Sequence, residues 1–74
     1  MKIRLLSCNA ARPDQRGIIK MLQDIAVHTD HSLARELADI LLNGSEIEIE
    51  VQEKSQNSAM RSIRKLEIDY EIME

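Results

Sequence analysis

EIEIEVQ, residues Glu46 to Gln52, alternates carboxylate and aliphatic side chains without interruption. Successive side chains of a β-strand point to opposite faces, so this stretch predicts a strand with one acidic face and one oily face. A lone strand cannot bury its oily face, and a second layer must therefore cover the aliphatic side chains. The carboxylates of Glu46, Glu48 and Glu50 then face water.

Two other segments show the same alternation. KIRLL, Lys2 to Leu6, predicts a first strand with Ile3 and Leu5 on its inner face and basic side chains on the other. LEIDYEIME, Leu66 to Glu74, predicts a last strand. Its expected inward side chains are Leu66, Ile68, Tyr70 and Ile72, and its outward ones are Glu67, Asp69 and Glu71.

Helical spacing of apolar residues predicts three helices between these strands. The first runs from about Pro13 to Val27, and its inward residues are Ile18, Ile19, Leu22, Ile25 and Ala26. The second begins after a cap at Thr29 or Asp30 and ends at Asn43-Gly44, which is typical of a left-handed cap. Its expected inward stripe is Leu33, Leu37, Ile40 and Leu41, with Ala34 and Ala38 beside it. The third turns Ala59, Met60 and Ile63 inward and exposes Arg61, Arg64 and Lys65.

The order β-α-α-β-α-β predicts an α+β fold with two layers, in which all three helices cover one face of a three-stranded sheet. Charge predicts the strand order. Placing the two acidic strands side by side would set carboxylates opposite carboxylates, which is destabilising. A central first strand gives each acidic row a basic neighbour in Lys2 and Arg4. We therefore expect an antiparallel sheet of order 2-1-3.

The composition restricts the classes of function. The 74 residues suffice for a single domain, 1–74, and the one cysteine cannot form an internal disulfide. We find no signal peptide and no apolar run of the roughly 20 residues that a membrane span needs, so we expect a cytoplasmic protein without membrane contact. A net charge of -3 and a single aromatic residue, Tyr70, make nucleic acid an unfavourable partner.

Few residues offer chemistry. His28, Asp30 and His31 could approach a metal, but they lie in an expected turn without a fourth ligand. Cys8 follows a short strand and is interpreted as a half-buried apolar side chain. The two glycines form no phosphate-binding loop. We expect neither enzymatic activity nor a cofactor or bound metal.

The basic residues of the first two helices are the candidate binding site. Arg12, Arg16 and Lys20 are spaced four apart and would line one exposed ridge, which Arg35 could continue. Such a ridge would fit an acidic protein surface. The alternatives are a solvated helix face with ordinary ion pairs to Asp24, Glu36 and Asp39, or weak binding of RNA phosphates.

The element order, together with IIKMLQDIAVHTDHSLARELADILLNG (18–44) and SAMRSIRKLEIDYEIM (58–73), resembles the C-terminal domain of the bacterial ribosomal stalk protein. The chain also looks like the Clp-protease adaptor, which shares that fold. The stalk resemblance implies that a basic helix pair binds protein partners, here through Ile19, Lys20 and Arg35. The adaptor's Asn-Asp pair is replaced by Asn9-Ala10, so recognition of N-terminal residues is not expected.

These observations support three hypotheses. The first is a non-catalytic protein-interaction module that docks an acidic or amphipathic partner on its first two helices, through Arg12, Arg16, Ile19, Lys20 and Arg35. The second is a small structural homodimer. The third is a weak RNA-binding or ribosome-associated protein that uses the basic third helix. Its contacting residues would be Lys54, Arg61, Arg64 and Lys65.

Overall fold

The computed structural model describes residues 1–73. The elements are β1 (Lys2–Cys8), α1 (Gln15–Ile25), α2 (His31–Leu42), β2 (Ile47–Glu50), α3 (Gln56–Lys65) and β3 (Ile68–Met73), with a single 3-10 turn (Glu53–Ser55) before α3. The predicted α+β class and element order are confirmed. Within residues 1–73, no helix combines the length and the apolar character that crossing a membrane requires.

The sheet has the order β2-β1-β3, and β1 is antiparallel to both of its neighbours. This confirms the strand order expected from charge. Arg4 stands opposite Glu48 on one side and Glu71 on the other. Its guanidinium donates hydrogen bonds to both carboxylates, at 2.9 Å to Glu71 and 3.3 Å to Glu48. The basic central strand therefore links the two acidic edge strands.

The three helices form the second layer and bury the aliphatic face of the sheet. Ile3 and Leu5 of β1 are fully buried, and Ile47 and Ile49 of β2 are nearly so. The largest helical contributions to the same core are Ile18, Met21, Leu22, Ile25, Leu41 and Ile63. α1 packs against both α2 and α3 and is the central helix of the layer, while α2 lies over β1 and β2, and α3 lies over β3.

The predicted inward stripe of α2 is correct for Leu41 and wrong for Leu33 and Ile40. Ala34, Ala38 and Leu41 are buried, whereas Leu33 and Ile40 are 40% and 43% exposed. Leu37 is half-buried at the margin. The two alanines present the least bulk of the helix, which lets its backbone lie close above β1. Leu33 and Ile40 are rotated away from the core.

Two strand boundaries also differ from the prediction. β1 continues to Cys8 because it contains a β-bulge, in which Leu6 has no partner on β3 between the pairs Leu5–Tyr70 and Ser7–Asp69. The extra residue interrupts the alternation, and this interruption looked like the end of the strand in the sequence.

β3 begins at Ile68 rather than Leu66. Leu66 caps α3, and Glu67 has a φ of 58°, in the left-handed region. The inward set is therefore shorter than expected: Ile68 is buried, Tyr70 is half-buried, and Ile72 is 52% exposed. The predicted last residue of the strand, Glu74, lies outside the described residues.

Caps determine where the first two helices start. Asp14 accepts a hydrogen bond from the backbone nitrogen of Gly17 at 3.0 Å, so α1 begins at Gln15 and not at Pro13. Asp30 caps α2 in the same way through Leu33, at 2.8 Å. At the other end of α2, Gly44 has a φ of 93°, which agrees with the predicted left-handed cap.

Candidate protein interface

Arg12 does not belong to the basic ridge on α1. The helix starts three residues later, and Arg12 lies in the preceding loop. It borders a shallow depression shared with Lys65 and Glu67 at the end of α3. The prediction that Arg12, Arg16 and Lys20 form one helical row is therefore wrong for Arg12, because the Asp14 cap excludes it from the helix.

The α1–α2 helix pair brings two of the predicted residues together. Gln15 Nε2 donates a hydrogen bond to Asp39 Oδ1 at 2.6 Å, and His31 Nδ1 lies 3.3 Å from Gln23 Oε1. These contacts fix the antiparallel register of the pair at both of its ends. Ile19 and Arg35 then lie opposite each other at the middle of the seam between the helices. Ile19 is half-buried against the core, and Arg35 is exposed.

Arg16 and Lys20 lie one turn apart on the solvent-facing side of α1, and both are exposed. Lys20 also borders a depression between α1 and α3, which Lys65, Asp14 and Asp24 line as well. The central helix thus carries two cations on its crest and has one on each flank, Arg35 from α2 and Lys65 from α3. We call Arg16, Lys20, Arg35 and Lys65 the basic crest.

None of the basic-crest residues forms an ion pair within the described range 1–73, where the ion pairs involve the Met1 amine and Arg4. The alternative prediction paired these cations with Asp24, Glu36 and Asp39. Asp39 instead accepts its hydrogen bond from Gln15. Among residues 1–73, the four basic-crest side chains therefore have no ion pair to break before they contact a partner.

The opposite face of the molecule carries the acidic rows. A hydrogen bond from Arg4 to Glu48 raises the pKa of Arg4 above its ordinary value, against the opposing effect of desolvation. The negative charges of Glu46 and Glu71 also raise the pKa of Arg4. Farther along β3, Asp69 accepts a hydrogen bond from Asn9 at 2.6 Å. On this face Arg4 of β1 forms ion pairs with carboxylates of both neighbouring strands, whereas the basic crest forms no ion pair among residues 1–73.

Three of the side chains considered for chemistry, Asp30, His31 and Cys8, have structural contacts, and the fourth, His28, is exposed. Asp30 caps α2, and His31 contacts Gln23. Cys8 is half-buried, and its Sγ lies 3.7 Å from the carbonyl oxygen of Leu66. No group of three His, Cys, Asp or Glu side chains suited to a metal ion occurs in residues 1–73.

The cations assigned to possible RNA binding are dispersed. Arg61, Arg64 and Lys65 are exposed on α3 as predicted, and Arg64 contacts the hydroxyl of Tyr70 at 3.4 Å. Lys54 lies in the 3-10 turn at the other end of that helix. Lys65 faces the groove with α1 and joins the basic crest instead.

Sequence reasoning missed the exposed apolar flank of α2, formed by the exposed Leu33 and Ile40 and the half-buried Leu37. The signal was present, because Ala34, Ala38 and Leu41 repeat at the same i, i+4, i+7 spacing as Leu33, Leu37 and Ile40. Two apolar stripes on one helix imply that one of them is left outside the core.

Comparison with known proteins found no matching family model, no matching curated sequence and no matching solved structure. The resemblance to the ribosomal stalk domain and to the Clp adaptor therefore stays a prediction.

Proposed function

We propose that this chain is a non-catalytic protein-interaction module that binds an acidic or amphipathic protein partner on its helical layer. The contacts are made by the basic crest, Arg16, Lys20, Arg35 and Lys65, around the half-buried Ile19 at the helix seam. Arg12 lies at the margin of this surface. The free thiol of Cys8 fits a reducing compartment, and we propose the cytoplasm as the location.

One observation carries this proposal: the four crest cations have no carboxylate partner among residues 1–73, although Asp24, Glu36 and Asp39 are on the same two helices. An unpaired, exposed cation loses little when it binds a carboxylate of another protein. Complementary charge of this kind contributes chiefly to specificity and to the rate of association. Ile19, an apolar residue at the centre of the surface, supplies an apolar contact that can be buried on binding, which charged side chains do not provide.

The sequence resemblance to the stalk domain supports the same surface, since in that family the first two helices bind protein partners. Ile19, Lys20 and Arg35 are the matching positions. The alternative of weak RNA binding relies on α3 and shares only Lys65 with the basic crest. The same experiment separates it, and the alternative of a structural homodimer, from the proposed function.

The test is capture of partners from cell extract with the tagged protein, followed by charge reversal. We expect Arg16→Glu with Lys20→Glu to abolish recovery of the partner, because both crest cations of α1 become repulsive. The matched control is Lys54→Glu with Arg61→Glu, which makes the same change in net charge on the far side of α3 and should leave recovery intact.

The opposite pattern would favour the RNA alternative, particularly if the captured material is lost on nuclease treatment and at about 200 mM salt. Recovery that is unchanged in both double variants would remove the basic crest from the interface. A concentration-dependent dimer in sedimentation would support the structural alternative.

A further inference from the structure

The outer edge of β2 has unused backbone hydrogen-bonding groups. Met1 and Val51 exchange hydrogen bonds in both directions, at 3.0 and 2.8 Å. Opposed residues in an antiparallel pair alternate between bonded and non-bonded pairs, so Ile3–Ile49 is bonded and Arg4–Glu48 is not. The N–H and C=O of Glu48 therefore point away from β1. Within residues 1–73, the neighbour on that outer side is the end of α1, where Val27 donates to the carbonyl of Glu50 at 2.8 Å.

The exposed apolar flank of α2 lies beside this edge. Gln15 and Gln23 of α1 contact Asp39 and His31, which identifies the side of α2 that faces the central helix. Leu33, Leu37 and Ile40 lie on the opposite side of α2. Because α2 is over β1 and β2, that side faces outward past the free edge of β2. The free backbone groups of Glu48 and the apolar flank of α2 therefore lie on the same side of the molecule, and Val27 occupies the edge at Glu50.

Charge decides what can bind at this edge. The outward side chains of β2 are Glu46, Glu48 and Glu50, and all three are exposed. A second copy that paired through its own β2 would set this acidic row against itself, which is destabilising. An added strand with Lys or Arg on that face would place a basic neighbour on the outer side of the row, as Arg4 does on the inner side.

We propose that the β2 edge binds an extended segment of another protein in which Lys or Arg alternates with aliphatic residues. The segment adds a fourth strand to the sheet through the backbone of Glu48. Its cations lie beside Glu46 and Glu48, and its aliphatic side chains pack under Leu33, Leu37 and Ile40. This surface is separate from the basic crest and prefers the opposite charge, so the proposal does not depend on the proposed function.

The test uses a peptide of about eight residues that alternates Lys with Val, and a second peptide that is N-methylated on the residues facing the edge. We expect the first to bind the wild-type protein, with slowed amide hydrogen exchange at Glu48. We expect the methylated peptide to bind at least about tenfold more weakly. It retains the charge and the alternation, but it cannot donate backbone hydrogen bonds to β2. A peptide alternating Glu with Val should not bind.

Protein variants provide the complementary test. Glu48→Pro removes an N–H that points to the free edge, a position where proline is tolerated in sheets, and should weaken binding by about tenfold or more relative to Glu48→Ala. The matched control is Ile72→Pro. Ile72 pairs with Ile3, so its N–H points to the free edge of β3, and this change should leave binding unaffected.

Equal binding of the methylated and unmethylated peptides would overturn strand addition, and this comparison does not depend on whether the Pro variants fold. Equal affinities of Glu48→Pro and Glu48→Ala would overturn the assignment of the edge. A dimer of the wild-type protein that Glu48→Pro dissociates would show that a second copy is the occupant, against the proposal.

Discussion

Arg4 is the residue on which the order of the sheet depends. It lies in the central strand and hydrogen-bonds one carboxylate on each side, Glu48 and Glu71. Its raised pKa adds stability that is present below the unfolded-state value and is lost only as the pH rises past the folded-state value. An arginine is charged at every working pH, so salt rather than pH should reveal its contribution.

We expect Arg4→Leu to lower the urea midpoint of unfolding at low ionic strength, because Glu48 and Glu71 then lose the cation that lies between them. The loss should shrink at about 1 M NaCl, where the Debye length falls to about 3 Å. Lys2→Leu is the control, since Lys2 lies on the same face of β1 as Arg4 but forms no ion pair in the described part of the chain. A loss that salt does not change would indicate a packing role for Arg4.

Replacing Gly17 by alanine should not stabilise α1, although this change stabilises most helices. A Cβ there would lie 2.5 Å from Asp14 Oδ2 and 3.2 Å from Leu66 Cδ2. The glycine thus makes room for the carboxylate that caps its own nitrogen. In most helices, Gly→Ala would stabilise by about 1 kcal/mol.

We expect Gly17→Ala to give no gain in the wild-type background, because the displaced cap costs about 1 kcal/mol. In the Asp14→Ala background the same change should be stabilising, by up to about 1 kcal/mol. The measurement is a double-mutant cycle by chemical denaturation. Additivity within error would mean that Asp14 and Gly17 do not interact in this way.

Among the elements, α2 shows where prediction from the sequence stopped. Its existence, a cap at Thr29 or Asp30 and its Gly44 terminus were predicted from local residue preferences, and the structure shows that Asp30 is the cap. Its phase did not, because two stripes of equal spacing compete and only the packing distance to β1 decides between them. The stripe of Ala34, Ala38 and Leu41 is the buried one, because its two alanines let the backbone of α2 lie close to β1.

Adjacent residues of α2 test this phase. Leu41 is 1% exposed, and Leu41→Ala should destabilise by about 2–5 kcal/mol through loss of burial and creation of a cavity. Ile40 is 43% exposed, and Ile40→Ala should change stability by no more than about 0.5 kcal/mol in either direction. The free energies come from chemical denaturation, and equal losses at both positions would favour the phase expected from the larger side chains.

For the molecule as a whole, the distribution of charge was predictable and the binding surface only partly so. The alternation in β1 and β2 determined which faces are acidic, basic or buried. Whether Arg16 or Lys20 would pair with a neighbouring carboxylate depended on side-chain positions that spacing does not define. The proximity of Lys65 to Lys20 depended on how α3 packs against α1, which no local pattern encodes.

The acidic rows also bear on self-association. β2 and β3 are the two edges of the sheet, and each bears outward carboxylates. We expect a monomer in sedimentation velocity at low salt, since either edge would meet like charge on another copy. Replacing Glu46, Glu48 and Glu50 together by Ala should permit concentration-dependent association. A wild-type dimer that is insensitive to these changes would place self-association on another surface.

The Leu6 bulge gives the central strand a tolerance to changes in its length. Ile3 and Leu5 face the core, and strict alternation would turn Ser7 inward, but the unpaired residue shifts the frame so that Cys8 pairs with the buried Ile68. Removing Leu6 would straighten the strand and leave every later side chain on its present face. The central strand therefore contains a position, Leu6, at which one residue can be deleted while the side chains that follow keep their present faces of the sheet.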